Sequence, residues 1–125
     1  MKQITAEWIR KAGADFATAQ REFAVEVEPN YDAVCFHSQQ AVEKLLKARL
    51  QEADIQFRKI HDLTVLLDAV LAIEPSWETL RNDLHTLTAY AVEYRYPGES
   101  CDKAEAARSV EITNKVREIV HSSLK

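Results

Sequence analysis

Apolar residues recur at helical spacing along almost the whole chain, and polar breakers divide them into five segments. The first runs from Thr5, a predicted N-cap, to about Val25, with Trp8, Ile9, Ala12, Phe16, Ala19 and Phe23 on one stripe. Glu28-Pro29-Asn30 interrupts it: Pro cannot continue a helix, and Asn30 can cap the next. The second helix, from Tyr31 to about Ala53, organises the rest. Val34, Ala41, Val42, Leu45, Leu46 and Leu50 lie on its core face, and His37, Gln40, Lys44 and Lys47 form a separate polar row expected to point outward.

Residues 54–60, DIQFRKI, lose the periodicity and read as a connector. Asp62 is the expected N-cap of a third helix, with Leu63, Leu66, Leu67, Val70 and Leu71 as its core stripe. Glu74-Pro75-Ser76 stops that helix. Ser76 is then the expected cap of a fourth, running through Trp77, Leu80, Leu84, Leu87 and Ala91 to Tyr94, before Arg95-Tyr96-Pro97-Gly98 breaks the pattern. Asp102 with Glu105 has capping-box spacing, opening a last helix through Ala106, Val110, Ile112, Val116, Ile119 and Val120. With short connections and no alternating strand pattern, the prediction is an all-α fold, an up-and-down bundle of about five helices forming a single domain over residues 1–125.

Composition narrows the function classes. A chain of 125 residues with only two glycines and three prolines suits a helical domain that buries its own core. The net charge of −4 argues against a whole-molecule polyanion binder while leaving room for a local basic patch. No apolar run approaches the roughly 20 residues of a membrane span, and the N-terminal stretch has no signal-peptide core, so a cytoplasmic location is expected. Cys35 and Cys101 have no metal-type spacing. They read as a partly buried thiol and a loop thiol.

Three polar features carry candidate chemistry. The row His37, Gln40, Lys44, Lys47 can face a phosphate or nucleotide, or can simply be a solvated helix face. From Lys44 to His61 there are five basic residues (Lys44, Lys47, Arg49, Arg58, Lys59) against Glu52 and Asp54, a local reversal of sign that can draw anions. Helix capping at His61-Asp62 and the dipole of the preceding helix explain much of the same pattern. In YAVEYRYPGES (90–100), Arg95 between tyrosines can stack on a base or clamp a phosphate, or can pair with an acid and fix the loop. His85 and His121 are isolated. No zinc-type spacing, Walker loop, dinucleotide turn or nucleophile elbow is present, and no metal or cofactor is expected.

FHSQQAVEKLLKA (36–48), KIHDL (59–63) and EYRYPGE (93–99), in that order, resemble the motifs of the HEPN family, and the resemblance covers essentially the whole chain. It implies a bundle of about five helices, in agreement with the periodicity. It also implies a protein resembling small members that partner minimal nucleotidyltransferases, some in toxin–antitoxin pairs, many as homodimers. Carried onto this sequence, the ligand-binding positions are His37, Gln40, Lys44, Lys47, His61, Arg95 and Tyr96. Ribonuclease branches of the family carry an Arg followed, after roughly four to six residues, by the His that does the acid–base work. Here Arg81 and His85, like Arg117 and His121, are separated by three residues. Arg81 and His85 still share one helix face and are the nearest catalytic candidates. A non-catalytic module binding a nucleotide or anionic small ligand is the first expectation. A ribonuclease acting on RNA and a structural dimer without ligand are the alternatives.

Overall fold

The computed structural model describes residues 1–93 and 97–125. Within them are five α-helices, α1 (Gln3–Phe23), α2 (Tyr31–Glu52), α3 (Leu63–Val70), α4 (Arg81–Glu93) and α5 (Lys103–Ser123), with a 3-10 helix over Pro75–Leu80. The fold is the expected all-α up-and-down bundle. At ~1.5 Å per residue α2 is about 33 Å long, and it packs against each of the other four helices.

Its apolar face forms the main core. Val42, Leu45, Leu46 and Leu50 meet Leu63, Leu66, Leu67 and Val70 of α3, Leu84 and Leu87 of α4, and Ile112, Val116 and Val120 of α5. A smaller cluster near the N-terminal end of α2 joins Val34 and Cys35 to Ala19, Cys101 and Ala106. Cys35 is wholly rather than partly buried, and Cys101 lies in a loop as expected and is buried beside it. Burial pushes both thiols above the ordinary cysteine range. The Cys101 backbone N–H donates to Asp32 Oδ1 at 2.7 Å, tying the chain before α5 to the first turn of α2.

Several caps are as expected. Asn30 accepts from the Ala33 N–H, Asp62 from the Thr64 N–H, and Asp102 with Glu105 completes a capping box. Two are not. Thr5 is no N-cap: α1 begins two residues earlier, with Lys2 at the cap position. Thr5 is buried inside the helix, and its hydroxyl donates to Glu52 Oε1 at 2.9 Å. Glu52 also accepts the Lys2 backbone N–H. That bond first, and then the one from Thr5, holds its carboxyl below the usual range and joins the start of α1 to the end of α2. Ser76 caps no α-helix either. Pro75 takes the first position of the 3-10 helix, and the three-residue repeat puts Trp77 and Leu80 together on the core, so α4 starts only at Arg81.

The end of α2 sets the path of the connector. Asp54 adopts a left-handed φ of 58°, the Ile55 N–H donates to the Leu50 carbonyl at 3.0 Å, and the Asp54 N–H to that of Gln51 at 3.2 Å. This is a Schellman ending with Asp in the place glycine usually fills. It turns the chain back, so that Ile55, Phe57 and Ile60 pack on the main core.

Candidate functional site

A second, unanticipated row of α2 holds the returning connector. Gln39, Glu43 and Lys47 are spaced by four residues, on one line of the helix. Gln39 Nε2 donates to the His61 carbonyl at 3.2 Å. The Glu43 carboxylate meets His61 Nδ1 at 3.1 Å and Lys47 Nζ at 3.0 Å. Lys47 also lies 5.6 Å from the ring centre of Trp8 in α1 and 5.8 Å from that of Phe57 in the connector. Glu43 and Lys47 are 3% and 5% exposed, an ion pair enclosed between two aromatic rings and the core.

This arrangement separates the residues expected to form one outward row. Lys47 is buried and paired. His37 Nδ1 lies 2.9 Å from Asp15 Oδ1, and Lys44 forms an ion pair with Asp15 Oδ2, so both are turned to the seam with α1. Gln40 alone of the four opens onto the cleft described below. The basic segment is largely neutralised within the molecule. Besides Lys44 and Lys47, Arg49 pairs with Glu74 at 3.3 Å, whereas Arg58 and Lys59 are exposed and make no ion pair among the described residues. Arg95 and Tyr96 lie outside the described residues.

Where α2, the end of the connector and α4 meet, a cleft of about 440 Å³ is lined by Phe36, Gln39, Gln40, His61, Asp62, Thr88, Ala91 and Val92. Gln39 and His61, joined by the amide-to-carbonyl bond, both line it. The His61 side chain is 76% exposed, and with Nδ1 turned to Glu43 its Nε2 is directed away from that contact. Asp62 caps α3, and the Thr64 hydroxyl first, with backbone N–H groups, keeps its carboxyl below the ordinary range, so it is ionised at neutral pH. The Thr88 hydroxyl is buried without a hydrogen-bond partner among the described residues. Phe36 and Val92 leave exposed apolar surface at the rim. A rigid apolar wall with a few convergent polar groups is the usual form of a small-ligand site. Gln39, Asp62 and Thr88 were not expected here. Gln39 and Glu43 are visible in the sequence only as a polar i, i+4 pair within an otherwise apolar helix face.

The catalytic candidates lie elsewhere in their chemistry. Arg81 donates to Glu78 through Nε at 2.6 Å and to Asp68 through Nη2 at 2.6 Å, and these bonds raise its pKa further. His85 is exposed, close enough to Asp62 to act on it electrostatically. Arg117 stacks on Phe16, its guanidinium carbon 5.6 Å from the ring centre. No group of three His, Cys, Asp or Glu side chains among the described residues is placed to hold a metal ion. None of their helices is long and apolar enough to cross a membrane.

The chain is a five-helix bundle among its described residues, with a small cleft beside its longest helix. The HEPN-domain family model matches residues 5–123, and the chain belongs to the HEPN family. Over the full length of both chains it superimposes on the crystal structure of an archaeal HEPN homologue with a TM-score of 0.74 at 24% sequence identity, a likeness of fold. No curated protein is significantly similar to the chain.

Proposed function

We propose that this chain is a non-catalytic HEPN-type binding module, working in the cytoplasm as a homodimer beside a minimal nucleotidyltransferase, in the manner of a toxin–antitoxin pair. Its cleft between α2, His61-Asp62 and α4 receives a nucleotide. The observation that carries this reading is the bond from Gln39 to the His61 carbonyl. It draws the FHSQQ helix and the KIHDL connector, two of the three segments that carry the family resemblance, to a single cleft. The helical frame holds them there, and the Thr88 hydroxyl lining the cleft has no hydrogen-bond partner among the described residues.

A ribonuclease role has less support. The family spacing of Arg and His is absent, and the Arg81 guanidinium is engaged by two carboxylates, leaving it poorly placed to stabilise a phosphoryl transition state.

Titration calorimetry of the full chain with a panel of nucleoside triphosphates, together with co-purification against the product of the neighbouring gene, tests the proposal. Measurable heat and a stable complex are expected, with no cleavage of tRNA by either partner-free protein or its His85→Ala variant. Absence of both heat and complex overturns it. So does tRNA cleavage that disappears in His85→Ala.

A further inference from the structure

The cleft presents a carboxylate and an amide oxygen, and these bear on which end of a nucleotide enters it. The inference rests on the nucleotide-binding reading above. Gln40 Nε2 donates to Gln39 Oε1 at 2.9 Å, and Gln39 commits its own amide to the His61 carbonyl. Gln40 Oε1 remains as an acceptor. Asp62 receives the Thr64 N–H and hydroxyl on Oδ1 at 2.9 and 2.7 Å. A carboxylate offers about four lone-pair sites, so this exposed one keeps acceptor capacity toward the cleft. No Lys or Arg lines the space among the described residues. A phosphate placed there meets that anion and amide oxygen with, among the described residues, only the His61 ring and the Thr88 hydroxyl to offset them. A flat group bearing N–H donors meets the opposite: acceptors at its edge and the partly exposed ring of Phe36 at its face.

Cations stand next to the cleft instead. Lys59 and Arg58 precede His61 by two and three residues, and two residue steps span at most about 7 Å of chain. Both side chains are exposed and outside any ion pair among the described residues. Their backbone is close to His61, and their side chains are suited to point-charge and forked contacts with phosphate oxygens.

We propose that the cleft takes the base of a guanine nucleotide, stacked on Phe36, with its ring N–H and amino group toward Asp62 and Gln40 and its phosphates toward Arg58 and Lys59. Guanine is the base whose pairing edge sets two donors side by side. Adenine and cytosine put one amino group beside a ring acceptor, which faces the Asp62 carboxylate unfavourably. Uracil offers a single N–H between two carbonyls. The unpartnered Thr88 hydroxyl gains a partner in any of these complexes and does not discriminate among them.

The test is calorimetric titration of the full chain with GTP, ATP, CTP, UTP and guanosine. It is repeated on Asp62→Asn and on the double variant Arg58→Ala/Lys59→Ala, with helix content and melting temperature measured for each. Asn caps a helix about as well as Asp, so Asp62→Asn keeps α3 intact. GTP is expected to bind about tenfold more tightly than ATP, the discrimination of one good paired contact. Asp62→Asn removes that preference by lowering GTP affinity and raising ATP affinity, because the Asn amide can donate to the adenine ring acceptor that the carboxylate opposes. The double variant brings GTP down toward guanosine while keeping the base preference. Equal affinity for the four triphosphates, or a guanine preference that survives Asp62→Asn, overturns the base assignment but leaves nucleotide binding standing. A GTP affinity untouched by loss of Arg58 and Lys59 overturns the placement of the phosphates. If no nucleotide gives heat, the broader reading falls and this one with it.

Discussion

Lys47 offers the sharpest test of how α2 holds the connector. Its Nζ lies 3.0 Å from Glu43 Oε2 with both side chains almost fully enclosed. At an effective dielectric of about 20 the attraction is roughly 5 kcal/mol, but desolvating two ions costs several kcal/mol each, so the pair as a whole is about neutral against an apolar replacement. Removing one member is different. Lys47→Ala leaves the Glu43 carboxylate buried against His61 alone, which places the cost near the lower end of the ~3–5 kcal/mol typical of a broken buried pair. Loss of the contacts with Trp8 and Phe57 adds about 1 kcal/mol, for a total near 4 kcal/mol. Lys47→Met strands the same carboxylate but keeps apolar contact with both rings, and is expected to cost about 3–4 kcal/mol. In Glu43→Leu/Lys47→Met no charge is left stranded, and stability returns to within about 1 kcal/mol of the parent. Urea unfolding followed by circular dichroism measures all three. The reasoning is refuted if Lys47→Ala costs less than about 1 kcal/mol, or if the double variant is as unstable as its singles added together.

Gly13 sits on the exposed side of α1, and a methyl group added there meets nothing within 4 Å. Gly13→Ala should therefore stabilise the fold by about 1 kcal/mol in the same urea assay. Thr88→Val and Ser38→Ala each remove a buried hydroxyl with no hydrogen-bond partner among the described residues, and each should raise stability by about 1 kcal/mol. Only Thr88→Val should also weaken nucleotide binding, because Thr88 lines the cleft and Ser38 does not. His121 resists protonation through burial first, and then through the charges of Arg117 and Lys125, so its pKa in the folded chain lies below 6.5. Unfolding releases it to take up a proton more readily, so this contribution to stability is present above about pH 6.5 and is lost as pH falls through the folded value. His121→Gln should flatten the fall in melting temperature on the acid side of pH 6.5, and an unchanged slope would remove His121 as its source.

The helices were legible because each buries one stripe, and a stripe is written directly in the spacing of apolar residues. The cap residues Asn30, Asp62 and Asp102 were legible for the same local reason. Thr5 and Ser76 misled because their side-chain chemistry suits a cap while tertiary contact decides otherwise: a carboxylate on α2 claims Thr5, and Pro75 begins the 3-10 helix ahead of Ser76. The polar row of α2 misled more deeply. Periodicity distinguishes an apolar face from a polar one, but not a polar face in water from one met by partners. The cue was Asp15, an acid placed within the Ala12–Phe16–Ala19 stripe of α1, which calls for a cation on the facing helix and finds Lys44 and His37. The cleft itself depends on three segments distant in sequence. Two of its lining residues, Gln39 and His61, are joined by a single side chain to backbone bond, which no spacing rule contains.

The central claim is that the ligand site lies between α2, His61-Asp62 and α4. An amide-resolved NMR titration of the full chain with GTP tests it directly. Shifts concentrated at Phe36, Gln39, Gln40, His61, Asp62 and Thr88, with those of Asp15, His37 and Lys44 unmoved, are the predicted result. Shifts that gather along the α1–α2 seam and leave the cleft unchanged would contradict it.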